Sequence, residues 1–543
     1  MAYRDFREHL KRLEETGLLV RITRSLCKDT EIHPLVRWQF RGLEETQRRA
    51  FFFENVIDAK GRHYEMPLVV GALAASRDIY CLAMECTPDK FLEKTSQGLK
   101  QRIAPVVIGK GACQEVVHRG DSLLEHGGLA EFPIPISTPG FDIAPYTTYS
   151  HWVTRDPDSG VYNVGNYRGQ LKSPTRMGVF AAYPQHLGMH WERARDLGHA
   201  LEAALVIGAV PAISFVANSK IPYETDEYEA AGGIAGEPIE LVRCQTVDLL
   251  VPATAELVIE GQIRTDCLEP EAPFGETTGY MGQQVMANVF EVTGITHRRK
   301  PIFASIISQF PPSESTKLRQ MSFEPTFYKY LRYDCNIPAV TGVAFLESCS
   351  SLYYCVIQLK KTNPAQAWQA LNAAVAYDSG VGKIFVAVDD DIDPRDADAV
   401  NWAICGRVQP HRDVRVREGR TVVMDFSAVH PRETGLGTEI LYPPPNGASG
   451  LIIDATRKWE YPPVSLPARP YMERARAIWE ELGLPALHPK SPWFGYHLGY
   501  WTQENEEDAE RAVRGDYFVT GERLRERREE IGKKSHSKGN SVK

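Results

Sequence analysis

The feature that most limits what this chain can fold into is a series of short β-type segments joined by turns too brief for any crossover. "PYTTYSHWVTR", "VYNVGNYRGQL" and "RMGVFAAY" (145–183) are separated only by "DPDSG" and "KSPT". A parallel pair needs a connection of a dozen or more residues, so these linkers demand antiparallel hairpins. The zone from about 116 to 310 therefore reads as an antiparallel sheet or small barrel, interrupted by one predicted helix at about 190–205. Its middle segment poses a question. Packing alone would place Val, Ile or Phe where Asn163 and Arg168 stand among glycines. Residues five apart in an ideal strand also face opposite ways, so the two can serve one site only across a bulge or a strand end, for which Gly165 is a candidate.

The flanking zones alternate helix and strand. "MAYRDFREHLKRLEETGLLVRI" spaces Phe6, Leu10 and Leu13 as an amphipathic helix and stops it at Gly17, which is no secretory signal. A helical connector near 315–333 leads to "LYYCVIQLK", "NPAQAWQALNAAVAY" and "KIFVAVDDDID", which read as strand, Asn-capped helix and buried strand. The expected organisation is an N-terminal α/β domain (1–115), the central zone (116–310), a helical connector (311–335), a C-terminal α/β domain (336–480) and a charged helical extension (481–543) whose last dozen residues are disordered. No internal repeat is present.

Composition removes several function classes. A chain of 543 residues with 43% hydrophobic content can bury two or three cores, and its net charge of -8 with no basic stripe argues against nucleic acid. Ten scattered cysteines without a C-x-x-C pair suit a reducing compartment, where they serve as small core residues. The most apolar stretch (200–217) is broken by Glu202 and Pro211 and is too short to span a bilayer. The expectation is a cytoplasmic protein with neither membrane nor nucleic-acid partner.

Three segments carry chemistry. "LEPEAPFGETTGY" (268–280) places Glu269, Glu271 and Glu276 among prolines and glycines, which predicts a rigid loop. It reads either as a solvated acidic loop or as a site where burial separates a proton donor from an ionised partner. "AAYPQHLGMHWERARD" sets His186 and His190 four apart, although Pro184 and Gly188 argue against one helix through both, and it is weak as a zinc motif. "GGIAGEPIELV" brings Glu237 after small residues that permit close backbone approach. Asn, His and Glu together suit Mn²⁺ or Mg²⁺ better than zinc or copper.

The run "YNVGNYRGQL", "PQHLG", "GGIAGEPIELV", "TVDLLVPATAELVIEG", "EAPFGETTGY" and "VDDDIDPRDADAVNWA" resembles, in order over most of the chain, the UbiD family of reversible decarboxylases that use prenylated FMN. The resemblance implies an α/β (α+β) protein: a central antiparallel split β-barrel that binds flavin, flanked by N-terminal and C-terminal α/β domains. It implies a divalent cation, usually Mn²⁺, held by Asn163, His186 and Glu237 against the flavin phosphate, with K⁺ completing that site. The catalytic trio falls on Arg168, Glu271 and Glu276, while Gln185 and Lys360 match flavin- and phosphate-contacting positions.

The implied reaction is non-oxidative decarboxylation of an aromatic acid, such as a bicyclic acid or aryl-CoA ester, with CO₂ released and Glu276 returning the proton. Such chemistry needs an electron sink that side chains cannot supply, hence the cofactor and the flavin prenyltransferase that must make it. The segment 309–350 is polar and aromatic together and is expected to line the pocket. Relatives imply a homo-oligomer, dimer or hexamer. Competing readings are a subunit of a multi-component aromatic carboxylase, a metal-dependent hydrolase active without flavin, and a structural flavin-binding module.

Overall fold

The first helix, α1 (Phe6–Glu15), forms where the spacing predicts it: Asp5 caps it by accepting the Glu8 N–H at 2.9 Å, and Phe6, Leu10 and Leu13 are buried. Gly17, at φ 71°, turns the chain out of it. In this computed structural model, which describes residues 3–181, 185–420, 425–428 and 447–528, α1 precedes a four-stranded sheet of Leu19–Ile22, Ala50–Phe53, Leu68–Val70 and Phe303–Ser305. The last of these strands comes from the end of the central zone, so that zone closes the N-terminal sheet and the two are interleaved.

The central sheet contains β1 (Val116–Arg119), β2 (Tyr146–Thr147), β3 (His151–Arg155), β4 (Tyr162–Asn166), β5 (Gly169–Ser173), β6 (Arg176–Val179), β7 (Leu201–Ile207), β8 (Leu257–Glu271) and β9 (Val285–His297). Its spatial order is β4-β3-β7-β8-β9-β6-β5-β2, every pair antiparallel, with β1 added to β9. β4 and β5 follow each other in the chain yet stand near opposite ends of the row. The sheet therefore curls until its ends approach without pairing, which is the split barrel expected.

Two predicted elements are corrected here. "VYNVGNYRGQL" is two strands, because the chain leaves β3 after Asn166 and joins β2 and β6 at Gly169. The predicted helix at about 190–205 is instead helix α2 (His186–Asp196) followed by β7, with Gly198 at φ 79° between them. β7 lies in the middle of the sheet with Leu201 and Ala203 to Ile207 buried. Covered on both faces, it loses the alternation that marks a strand, and its apolar run imitates a helix.

Helix α3 (Glu227–Ala235) lies against β4, and α4 (Glu314–Lys329), the expected connector, is buried along most of its length. Beyond it a five-stranded sheet runs in the order Val340–Phe345, Tyr354–Leu359, Ile384–Asp389, Ser449–Asp454, Val414–Glu418. The helix after its second strand, Ala365–Tyr377, begins with Asn363 accepting the Ala365 N–H at 2.8 Å.

The first compact unit ends at Thr456 and the second starts at Arg457, ahead of the expected boundary at 480, which falls within the helix Arg469–Glu481. The second unit continues with Gln503–Val513 and Tyr517–Arg525. The disorder expected of the last dozen residues lies outside the described residues. Among the described residues no helix is long and apolar enough to cross a membrane. Cys27, Cys81, Cys113 and Cys355 are buried as small core residues, whereas Cys267 and Cys405 are exposed.

Candidate active site

The passage from β4 to β5 answers why polar residues interrupt this strand. Tyr167 and Arg168 belong to neither strand, and the Tyr167 carbonyl is held by Ser150 Oγ at 2.7 Å and Trp152 Nε1 at 2.9 Å. A strand end, not a bulge, thus releases Arg168 from the facing imposed on Asn163. Gly165 has a different task from the one expected: a Cβ there would lie 2.2 Å from the Tyr167 ring, so glycine makes room for the tyrosine that folds back over it.

Arg168 reaches two carboxylates. Its Nε and Nη2 donate to Glu271 at 2.8 and 2.6 Å, a bidentate pair, and its Nη1 donates to Glu276. Glu271 is fully buried and Glu276 nearly so. The expected loop is partly strand, since β8 runs on to Glu271 and pairs it with Val285. Only Glu269 keeps a solvated character, half-buried beside Lys172 Nζ at 3.0 Å. Phe180 and Phe274 stand 5.5 and 5.4 Å from the guanidinium, and Tyr146 packs on Phe274. These rings give the charges an apolar flank.

Burial raises the Glu276 carboxyl above its ordinary range; the Arg168 charge opposes this and the Glu271 charge adds to it. The two neighbours hold the Arg168 guanidinium firmly protonated against its own desolvation. One arginine faces two buried carboxylates, and burial together with the Glu271 charge favours the protonated form of Glu276. Arg319 of α4, donating to Thr277 Oγ1 at 2.7 Å, adds a second cation near Glu276 that sequence reasoning missed. Asp142, with burial raising its pKa to about 6, was also missed; its carboxylate accepts the Gly275 N–H at 3.2 Å.

A second group forms around β4. Asn163 is buried opposite Thr154, and its Nδ2 donates to Thr154 Oγ1 at 3.3 Å. His186 opens α2, and its Nδ1 stands 3.4 Å from Glu227 Oε1. The other Glu227 oxygen accepts the Val164 N–H, next to Asn163. Glu227 is buried, which raises its carboxyl, while His186 draws it down. The helix through His186 and His190 does form, but His190 turns to Thr154 Oγ1 at 2.9 Å and to Asp156, and burial lowers its pKa to about 4.

Glu237 requires correction. It is exposed beyond the Gly236 stop of α3 and lies within electrostatic reach of Glu85, away from Asn163 and His186. The nine residues of α3 rise roughly 13 Å, so only the acid at the helix start, Glu227, reaches the pair. Its signal was Asp226, the capping residue that fixes where α3 begins by accepting the Tyr228 N–H at 2.8 Å. Gln185 is exposed at the N-cap of α2, and Lys360 is exposed at the end of Tyr354–Leu359 in the C-terminal sheet.

The donor set of Asn163 amide oxygen, His186 imidazole and Glu227 carboxylate fits a hard or borderline divalent cation, and the buried Glu227 charge calls for such a partner. Arg168, Glu271 and Glu276 make a separate, largely buried charge cluster.

Three family models match this chain in order: the N-terminal (10–99), Rift-related (106–311) and C-terminal (319–455) domains of 3-octaprenyl-4-hydroxybenzoate carboxy-lyase, UbiD. An uncharacterised protein of Aquifex aeolicus is 31% identical over 521 residues, covering 89% of this chain and 99% of its own, and one of Archaeoglobus fulgidus is 30% identical with the same coverage. Among solved structures, an evolved dimeric form of the UbiD-class enzyme HmfF from Pelotomaculum thermopropionicum, in complex with prFMN, is 31% identical. It superposes with a TM-score of 0.74 over 88% of this chain and all of that one. The vanillic acid decarboxylase of Sedimentibacter hydroxybenzoicus in closed form is 25% identical, with a TM-score of 0.74 over 89% and 99% of the two chains.

Proposed function

Because this chain belongs to the UbiD family of carboxy-lyases, we propose that it is a prenylated-FMN-dependent, reversible, non-oxidative decarboxylase of an aromatic carboxylic acid, such as a bicyclic acid or aryl-CoA ester. The observation that carries this reading is the buried row of Glu276, Arg168 and Glu271. The chemistry supplied by prenylated FMN when bound is an electron sink for a carbon whose carbanion has nowhere else to delocalise.

The chain's own residues have three tasks in this reading. Arg168, aimed by Glu271, binds and orients the substrate carboxylate in a water-poor pocket. Glu276, whose carboxyl burial raises, donates the proton that takes the place of CO₂ and recovers it in the reverse direction. Asn163, His186 and Glu227 would hold a divalent cation, Mn²⁺ in first place, which with K⁺ and the Lys360 charge would offset the flavin phosphate, and Gln185 would contact the flavin. The prenyltransferase that makes the cofactor is a required supplier.

A homo-oligomer suits the second compact unit, whose three helices carry no buried residue and expose Tyr471, Ile478 and Phe518. A second reading, a subunit of a multi-component aromatic carboxylase, draws on a Sedimentibacter structure described with a second component, ShVdcD. Against it, every residue of the proposed chemistry is carried by this chain.

The test is the absorbance and mass spectrum of cofactor released from protein co-produced with a flavin prenyltransferase, beside Asn163→Ala. The expected result is prenylated FMN with a divalent metal from the parent and loss of both from the variant. A parent without flavin refutes the reading. Turnover of aromatic acids by the purified chain alone decides against the subunit reading.

A further inference from the structure

Far from this site, at the other end of the long strands, two groups of side chains meet at His118. His297 closes β9, and His118 lies on β1 beside it, with Ile295 opposite His118 and Val116 opposite His297. The His118 and His297 rings are 5.6 Å apart, and both are more than nine-tenths buried, at 7% and 5% exposure. The chain after β1 then doubles back through Gly127 and Gly128, at φ 91° and 58°. A Cβ on Gly128 would sit 2.4 Å from the Pro174 carbonyl oxygen, so this turn accepts only glycine. It brings His126, its ring 5.0 Å from that of His118, and Glu131, its Oε1 4.0 Å from His297 Nε2.

Hydrogen bonding within the protein leaves this cluster incomplete. His297 donates its Nδ1–H to the Arg298 carbonyl at 2.6 Å, which fixes the tautomer and leaves an Nε2 lone pair. That Nε2 and the Nε2 of His118 are both buried without a hydrogen-bond partner. A buried polar nitrogen without a partner is unfavourable, and two of them beside a carboxylate describe a place for a shared cation. A carbonyl holding the far nitrogen of a histidine is also the arrangement that orients a metal-binding imidazole.

We propose that His118, His297 and Glu131, whose ligand atoms already lie together, form a zinc site that staples the 120–131 loop to the end of β9, with His126, beside His118, turning in from the solvent side as fourth ligand. The ligand atoms of His118, His297 and Glu131 lie within 4.8 Å of one another, as do those of His118, His126 and Glu125. Tetrahedral zinc ligands at about 2.0–2.1 Å stand about 3.3 Å apart, a closure that side-chain rotation supplies. Three imidazoles and one carboxylate suit zinc, unlike the oxygen-rich set at Asn163. The site is structural: Glu271 pairs with Val285 at the opposite end of β9, twelve residues or roughly 40 Å of strand away.

The experiment is equilibrium dialysis of the full-length, tag-free protein, first stripped with EDTA, against Zn²⁺ with metal quantified per chain. Asn163→Ala keeps the flavin-side cation out of the count. The expected result is one zinc per chain in Asn163→Ala, with affinity at least about tenfold weaker when His297→Gln is added to it. Co²⁺ in place of Zn²⁺ is expected to give the intense visible absorption of a tetrahedral centre, lost in the same variant. Should His297→Gln not fold, the exposed His126→Ala takes its place with the same expected weakening. Zinc affinity unchanged by substitution of these histidines, or no zinc retained by the parent, overturns the proposal.

Discussion

Arg168 and Glu271 meet through two parallel hydrogen bonds, at 2.8 and 2.6 Å, although one stands in the gap between two strands and the other ends a fifteen-residue strand 103 positions later. The fork geometry belongs to a guanidinium and is not reproduced by an ammonium. Arg168→Lys is therefore expected to lower kcat/KM by roughly 10²-fold or more while the far-ultraviolet circular dichroism is unchanged. Glu271→Gln frees one arm of the fork and should act in the same direction. Steady-state kinetics on an accepted aromatic acid check both.

Burial raises the Glu276 carboxyl, so the donor role proposed for it weakens with rising pH. Decarboxylation should fall on the alkaline side as pH passes through its raised pKa. Glu276→Gln should lose roughly 10²- to 10⁴-fold in kcat, keep its cofactor and show no such alkaline limb. A pH-rate series with parallel flavin quantification distinguishes this from a structural role, which would lose cofactor as well.

Glu227 and Glu237 separate the geometry from the linear motif. Glu227→Gln is expected to strip the divalent cation and reduce flavin retention, because its carboxylate lies between His186 and the β4 backbone. Exposed Glu237→Gln should leave both unchanged. Metal and flavin content of the two purified variants is the measurement.

Glu314, buried at the start of α4, accepts N–H groups of Gly71 and Ala74 at 3.0 and 3.3 Å, yet burial raises its pKa to about 7. A carboxyl raised in the folded state leaves stability intact below its unfolded pKa and lowers it as pH rises through the folded value. The parent should lose on the order of 3 kcal/mol relative to Glu314→Gln between about pH 4.5 and 7. Denaturant melts of both proteins across that window test the difference.

Gly165→Ala sets a methyl group into the Tyr167 ring. The expected destabilisation is about 1–3 kcal/mol, with loss of activity as Arg168 shifts with its neighbour. Thermal melting beside Gly165→Ala/Tyr167→Leu checks it, since removing the ring should restore stability.

Much of the architecture was legible along the chain. Short turns required antiparallel pairing, helical spacing placed α1, and ordered motifs carried the family resemblance. The reading failed where neighbours in the fold, not in the chain, set the outcome. β7 passed for a helix because both its faces are covered, and one strand became two because the sheet curls and the chain must jump its gap.

The sequence by itself determined which chemical groups are available: one arginine and two glutamates near a rigid turn, and an asparagine, a histidine and acids nearby. Turn length and apolar period are local properties, so they also determined the class of fold. Only the tertiary structure decided which acid joins His186, how Arg168 escapes the facing of Asn163, and that Glu271 and Glu276 share one buried guanidinium. Those outcomes depend on distances and desolvation between segments up to about a hundred residues apart, and only the curled sheet fixes them.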